Sequence, residues 1–348
     1  MISRPAPQSI CILRLSAIGD VCNAVAAVQA IQRHYPDAKL TWVIGRVEHS
    51  LLKGLPGVRF VVFDKKQGWH AYKQLKQDLA GENFDYLLHM QVALRANIAS
   101  LMINARVKVG FDKARAKELH SLFMNASIAP RDGDHVLDGF MQFAAFLGVP
   151  KAAPVWQIPL AADDQAWALA QIGTASRNFI ICPAASKAER NWLAPRYAAI
   201  GDWMTDKGYQ VFICGANTLL EQQLAADIEQ HAQHPLVNLV GKSNLKQLLA
   251  LIAQADLVLA PDTGPAHMAN AVGTPVVGLY AHSNPARTGP YRYRDSVVSV
   301  YQQAIVEQTG KPLGSQKWGA RAKGDDLMAR IEVEQVKHTI LTLLDKGA

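Results

Sequence analysis

Short apolar runs of strand type alternate with helical segments along this chain, and the alternation occurs twice. From the start the order is SICILRLS, VCNAVAAVQAIQRHY, KLTWVIG, RFVVFD, FDYLLHMQ and VKVGF. Apolar runs spaced by helices are the rhythm of βαβ crossovers, so the pattern specifies a doubly wound parallel sheet. Around GVPKAAPVWQIPLAADD, residues 148–164, three prolines interrupt it, and the stretch reads as a linker. The rhythm then restarts with RNFIICPAAS, YQVFICGAN, ADLVLAPDTG and TPVVGLYAHS, with the helical NTLLEQQLAADIEQHA and NLKQLLALIAQ between them. The final DLMARIEVEQVKHTILTLLDKGA has apolar positions at helical spacing and reads as a closing helix. The expected fold class is therefore α/β: two Rossmann-like parallel-sheet domains, residues 1–155 and 156–348, facing a central cleft at the carboxyl ends of their strands. A length of 348 residues is enough for each domain to bury its own core. No short-period repeat is visible, which excludes solenoids and propellers.

Charge and cysteine usage narrow the class of protein. The four cysteines, Cys11, Cys22, Cys182 and Cys214, lie in or beside apolar segments without CxxC spacing, which argues against a zinc site or disulfide framework and fits a reducing cytoplasm. The start MISRPAPQSICILRLS lacks a long apolar signal region, and no 18-residue apolar run occurs, so neither export nor membrane spanning is expected. The formal charge is +7, and residues 1–155 hold 19 Lys/Arg against 12 Asp/Glu while residues 156–348 hold 17 of each. All of the excess lies in the first half, which suits an anionic partner such as an acidic substrate or a membrane face, although a merely soluble surface has the same balance. A basic nucleic-acid-binding protein would also explain it, but aromatic–basic interleaving and recognised nucleic-acid modules are missing.

Three strand ends carry the chemistry. In LVLAPDTGPAHMANAVGTPVVGLY, residues 257–280, a strand ends at Pro261, a turn Asp262–Thr263–Gly264–Pro265 follows, and a small-residue helix begins near Ala266, with His267 on its first turn. Backbone N–H groups and the positive end of a helix dipole make such a turn a phosphate site, and Gly264 permits close approach. The plainer alternative is a strand–turn–helix with Asp262 or Thr263 as N-cap. CPAASKAERNWLAPRY, residues 182–197, places Ser186, Lys187 and Arg190 at a second strand end, where cations suit a diphosphate or a solvated loop equally. LRLSAIGDV, residues 13–21, runs from a strand through Gly19 to Asp20, either a simple helix N-cap or a functional carboxylate.

Several familiar motifs are missing. The chain has no G-x-G-x-x-G, no Walker G-x-x-x-x-G-K-[ST], no G-x-S-x-G elbow and no H-E-x-x-H. RDGDH, residues 131–135, has the Asp-x-Asp spacing of metal-dependent sugar transferases, but no clear strand leads into it and it reads as a surface turn. No metal is expected.

The combination of LRLSAIGDV, SKAERNW, DTGPAHMANAVGTPVVGLY and the closing IEVEQVKHTI resembles the bacterial ADP-heptose:lipopolysaccharide heptosyltransferases, inverting glycosyltransferases of the GT-B fold, over the whole length. The resemblance implies that Asp20 is the general base on the acceptor hydroxyl. It implies donor contacts from Ser186, Lys187, Arg190, Asp262, Thr263, Gly264 and His267, an adenine-side loop at Gly241–Leu245 including Ser243, and acceptor contacts from Ser16, Gly19, Gln91 and Arg95. It further implies an ADP-heptose donor, a Kdo–lipid A or heptosylated lipopolysaccharide acceptor, no cofactor or metal, no nucleic-acid partner, and a cytoplasmic enzyme peripheral to the inner membrane. This chain departs from the family at Leu193, where Pro is common after Trp, at HVLDG, where an Arg often follows, and at Arg190, where several members carry lysine. A GT-B enzyme using another nucleotide sugar or acceptor is the alternative.

Overall fold

The computed structural model describes residues 6–130, 133–175 and 177–345. By contacts the chain divides into two compact units, Met1–Pro159 and Leu160–Ala348.

The first unit is built on strands β1 (Ser9–Leu13), β2 (Lys39–Gly45), β3 (Val58–Phe63), β4 (Phe84–His89), β5 (Ala105–Gly110) and β6 (Ala126–Ser127). Its helices are α1 (Ile18–His34), α2 (Arg46–Leu52), α3 (Trp69–Asp78), α4 (Leu94–Ser100) and α5 (Val136–Phe146). The sheet order is β3-β2-β1-β4-β5-β6, with every pair parallel. Apolar residues of α3 and α4, among them Ala71, Leu75, Ala96 and Ala99, pack with Leu13, Val43 and Leu87 of the strands. α1 lies against α5 and is buried along its length from Val21 to Ile31. It begins at Ile18, three residues before the apolar pattern does, because Ala17 takes the N-cap position and leaves Asp20 at the third helical residue.

The second unit contains β7 (Asn178–Ile181), β8 (Gln210–Ile213), β9 (Val237–Asn238), β10 (Leu257–Pro261), β11 (Val276–Tyr280) and β12 (Val297–Ser299). Its helices are α6 (Ala162–Ile172), α7 (Ala194–Asp206), α8 (Leu219–His231), α9 (Leu245–Ala253), α10 (Gly264–Val272), α11 (Pro285–Thr288), α12 (Tyr301–Thr309) and α13 (Val333–Asp345). The order β12-β11-β10-β7-β8-β9 is again wholly parallel. Counted from its own first strand it repeats the order of the first sheet, so both units are doubly wound in the Rossmann manner expected from the sequence. The C-terminal helix α13 packs through the buried Val336 and Ile340 on the side of this sheet that holds α7.

Between the units the proline-rich segment forms neither helix nor strand until α6 begins at Ala162. Its first part is bound into the first unit: Trp156 Nε1 donates to the Cys22 carbonyl at 2.9 Å, and Gln157 exchanges hydrogen bonds of 2.9 and 2.8 Å with Gln29. All four cysteines are buried and free, Cys11 and Cys22 in the first unit, Cys182 and Cys214 in the second. Burial pushes their thiols up, Cys22 and Cys214 to about 12. Among the described residues no helix is long and apolar enough to cross a membrane.

Candidate functional site

In a doubly wound sheet the strand order reverses between two neighbours, and the loops at their carboxyl ends part to leave a ligand crevice. Here those neighbours are β1 and β4 in the first unit and β7 and β10 in the second. Three of the sequence motifs start at these strand ends.

At the first switch point the β1 and β4 ends are stitched together. Met90 N–H donates to the Leu13 carbonyl at 3.0 Å, Leu15 N–H donates to Gln91 Oε1 at 2.7 Å, and Gln91 Nε2 donates to Ser16 Oγ at 3.3 Å. Ser16, Gly19, Asp20 and Gln91 are all half-buried. Asp20 Oδ2 accepts the Ala17 N–H at 3.3 Å and pairs with the Arg14 guanidinium. Asp20 is thus not the N-cap that its place after glycine suggests; it reaches back from the third helical position to the cap residue's N–H, as an acidic group there commonly does. Its side chain remains 33% exposed while Arg14 is 12% exposed. Arg95 lies apart, exposed on the first turn of α4, with only its carbonyl receiving the Tyr72 hydroxyl at 3.5 Å.

Two groups here escape sequence reasoning. Arg14 donates to the Met90 carbonyl at 2.5 Å and stacks 5.3 Å from the Phe140 ring centre, holding the cation beside Asp20. A charged residue inside the apolar run ICILRLS was the available signal. Glu48, 9% exposed in the first turn of α2, has its carboxyl pushed up by burial and senses the charges of Arg14 and Asp20. Nothing in RVEHSLL distinguishes it from a surface residue.

Behind the β4 end lies a buried histidine pair. His89 and His120 have ring centres 4.6 Å apart, His120 Nδ1 is 2.9 Å from Asn97 Oδ1, and Phe111 N–H donates to His120 Nε2 at 3.1 Å. Burial holds both below the usual imidazole value, His120 at about 4, and the neighbouring His120 lowers His89 further.

At the second switch point β10 ends at Pro261 and α10 starts at Gly264 with Pro265 in its first turn. Thr263 occupies the N-cap position in extended conformation, yet its hydroxyl turns back to the Pro261 carbonyl at 3.3 Å and makes no cap hydrogen bond. Asp262 accepts from the Ser283 hydroxyl and lies against Tyr280, whose phenol burial and the Asp262 charge hold far above its usual value. Neither side chain therefore serves as the cap that the plainer reading assigned. His267 is buried on the first turns of the helix.

On the adjoining β7 end, Ser186 and Lys187 are exposed and Arg190 is half-buried. Lys187 Nζ is 3.4 Å from Glu189 Oε1, and Arg190 Nε is buried without a hydrogen-bond partner. Gly241 and Ser243 stand two strands further on, in the turn between β9 and α9, where Gly241 N–H donates to the Gly215 carbonyl at 3.0 Å. Gly241 has φ +74°, and a Cβ there would meet Asn217 at 3.1 Å, so the turn is built for glycine. The Ser186–Arg190 loop and the Asp262–His267 turn follow adjacent strands, β7 and β10.

Of the Asp-x-Asp pair, Asp132 lies outside the described residues; Asp134 precedes His135, whose Nδ1 caps α5 by accepting from Leu137 N–H at 3.0 Å. Among the described residues no group of three or more His, Cys, Asp or Glu side chains is arranged to hold a metal ion.

The family model for glycosyltransferase family 9 (heptosyltransferase) matches residues 72–315. The lipopolysaccharide core heptosyltransferase OpsX of Haemophilus influenzae is 45% identical over 331 residues, 95% of either chain. The chain belongs to glycosyltransferase family 9. Two solved structures carry the same architecture: a family 9 glycosyl transferase from Veillonella parvula, with TM-score 0.79 and 21% identity over 97% of both chains, and Escherichia coli heptosyltransferase WaaC with ADP, with TM-score 0.73 and 19% identity over 96% of this chain and 99% of that one. This family 9 protein accordingly has the GT-B fold, and it is a heptosyltransferase-family enzyme.

Proposed function

We propose that this enzyme transfers a heptose from ADP-L-glycero-D-manno-heptose to the Kdo or heptose of a lipopolysaccharide inner core, with inversion, at the cytoplasmic face of the inner membrane, where it is peripheral. The observation that carries the reading is the β1 turn: one half-exposed carboxylate, Asp20, held by Arg14 and the Ala17 N–H beside the Gln91–Ser16 pair.

A sugar hydroxyl is a poor nucleophile, and its proton must leave as the new bond to the anomeric carbon forms; a carboxylate is the usual acceptor. In this reading Asp20 is that base, and Ser16, Gly19, Gln91 and Arg95 contact the acceptor. Inversion requires the acceptor oxygen and the departing ADP on opposite faces of an oxocarbenium-like centre. Ser186, Lys187, Arg190, Asp262, Thr263, Gly264 and His267 hold the donor, with Gly241 and Ser243 on the adenine side. Charge growing on the leaving diphosphate is met by Lys187, Arg190 and the N-terminus of α10, so a metal or other cofactor is not required in this scheme. Incubation with ADP-heptose and a series of truncated lipopolysaccharides, read by mass, tests it: a product heavier by one heptose is expected, and no transfer to any member of the series overturns it.

A further inference from the structure

Five of the exposed large apolar side chains in the first unit gather along one edge of its sheet. Val47, Trp69 and Leu94 stand in the first turns of α2, α3 and α4, which follow β2, β3 and β4, and Leu119 and Leu122 lie in the segment after β5, so all five are at the carboxyl edge. Trp69 is 72%, Leu119 67% and Leu122 78% exposed. Single exposed leucines are ordinary, but several on neighbouring segments of one sheet edge are not.

The three loops that follow β3, β4 and β5 are continuous with one another. The Trp69 ring centre lies 5.2 Å from that of Tyr72, whose hydroxyl reaches the Arg95 carbonyl. The Leu94 N–H donates to the Glu118 carboxylate, and Asn97 Nδ2 donates to the Glu118 carbonyl at 2.8 Å. These bonds fix the loop after β5 in an unusual form. Glu118 and Leu119 have φ of 49° and 62°, left-handed conformations that a bulky side chain disfavours. The surrounding contacts hold the backbone in that state and turn Leu119 outward, the kind of strain that accompanies function.

Cations accompany the apolar groups. Lys66, Lys73, Lys113 and Lys117 are exposed on the same loops and helix start, and none makes an ion pair among the described residues. An aromatic ring and leucines set among unpaired lysines match the boundary between acyl chains and anionic headgroups.

We propose that this edge of the first unit docks on the surface of an anionic phospholipid bilayer, with Trp69, Leu119 and Leu122 entering the headgroup–acyl boundary and Lys66, Lys113 and Lys117 meeting lipid phosphates. The proposal deepens the peripheral-membrane part of the function above and rests on it, while requiring nothing of the transfer chemistry. Flotation with vesicles of phosphatidylcholine alone or with about a third phosphatidylglycerol tests it on the full chain. The wild type is expected to float with the anionic vesicles only. The triple variant Trp69→Gln, Leu119→Asn, Leu122→Gln should partition roughly 10- to 100-fold less, as the loss of three inserting side chains implies. Asn accepts a left-handed backbone, so the fold is spared, and a wild-type thermal melt checks this. The variant should also match the wild type in transfer to a delipidated core oligosaccharide. Replacing Lys66, Lys113 and Lys117 with Gln should flatten the salt dependence of flotation. Wild-type protein left in the soluble fraction, or either triple variant floating as the wild type does at every salt concentration, overturns the docking surface. Vesicle binding by a chain that transfers no heptose to the oligosaccharide overturns the enzymatic reading alone.

Discussion

The β1–α1 and β10–α10 turns share a plan and differ in what occupies the helix N-terminus. Each leads from a buried central strand through a small-residue turn into a helix at the switch point of its sheet. In the first, the chain supplies its own anion: Asp20 closes back on Ala17 N–H and pairs with Arg14. In the second, the two side chains that could cap the helix are turned elsewhere, Thr263 to the Pro261 carbonyl and Asp262 to Ser283. One turn is internally neutralised and offers a carboxylate; the other keeps the positive end of its helix for an anion from outside. In the proposed scheme the same supersecondary unit presents a proton acceptor in one unit and a phosphate cradle in the other.

The strongest test of that contrast is Asp20→Asn. Asparagine keeps a carbonyl oxygen for the Ala17 N–H, so the helix should form and ADP should bind as before, while transfer falls roughly 10²- to 10⁴-fold, the usual worth of a general base. A folded variant with full turnover would reduce Asp20 to a capping residue. The mirror experiment is Gly264→Val, which crowds the opposite turn. It should weaken ADP binding by calorimetry about 10- to 100-fold, as expected for losing one or two charge-assisted hydrogen bonds. Unchanged ADP affinity in a folded protein would remove the phosphate cradle from the scheme.

Smaller effects separate the units by charge. The whole cationic excess lies in residues 1–155, so salt should raise the KM for a lipopolysaccharide acceptor a few-fold and the KM for the ADP-sugar less, because surface attraction is screened within about 10 Å at roughly 0.1 M. Equal changes in both constants would break the distinction. Acid should also act first on the first unit. His120 and His89 are held neutral by burial, with His120 at about 4, whereas in the unfolded chain they take up protons near the usual value. Unfolding therefore binds protons below about pH 6.5, and the melting temperature should decline from there down to about pH 4, below which His120 adds no further slope. His120→Gln should flatten that decline; an unaltered pH profile would dismiss the buried pair as its cause.

Both turns were legible in the sequence because their chemistry is local. An apolar strand, a glycine and a polar residue stand within a few positions, and so do Asp262, Thr263 and Gly264. What was not legible joins distant positions. Gln91 meets Leu15 and Ser16 across some 75 residues, and His89, Asn97 and His120 converge from three separate elements. The Arg14–Asp20 pair spans a turn and follows neither helical nor strand spacing, so the sequence leaves Asp20 open between cap and functional carboxylate, and the helix start at Ile18 removes the cap. The edge strands β6 and β9 have two residues each, too short for any alternation to show. α6 was hidden for another reason: its first residues, Ala162 to Asp164, close the stretch that prolines marked as linker.

The four cysteines carry a practical consequence. Two thiols are sealed inside each unit, and burial disfavours the thiolate that reacts with disulfides and alkylating agents. The folded protein should tolerate air and need no added reductant on storage. A thiol-specific dye becomes a clock for each half of the molecule: labelling at Cys11 and Cys22 times the opening of the first unit, and labelling at Cys182 and Cys214 times the second, so peptide mapping of a partly labelled sample reads which half lets go first.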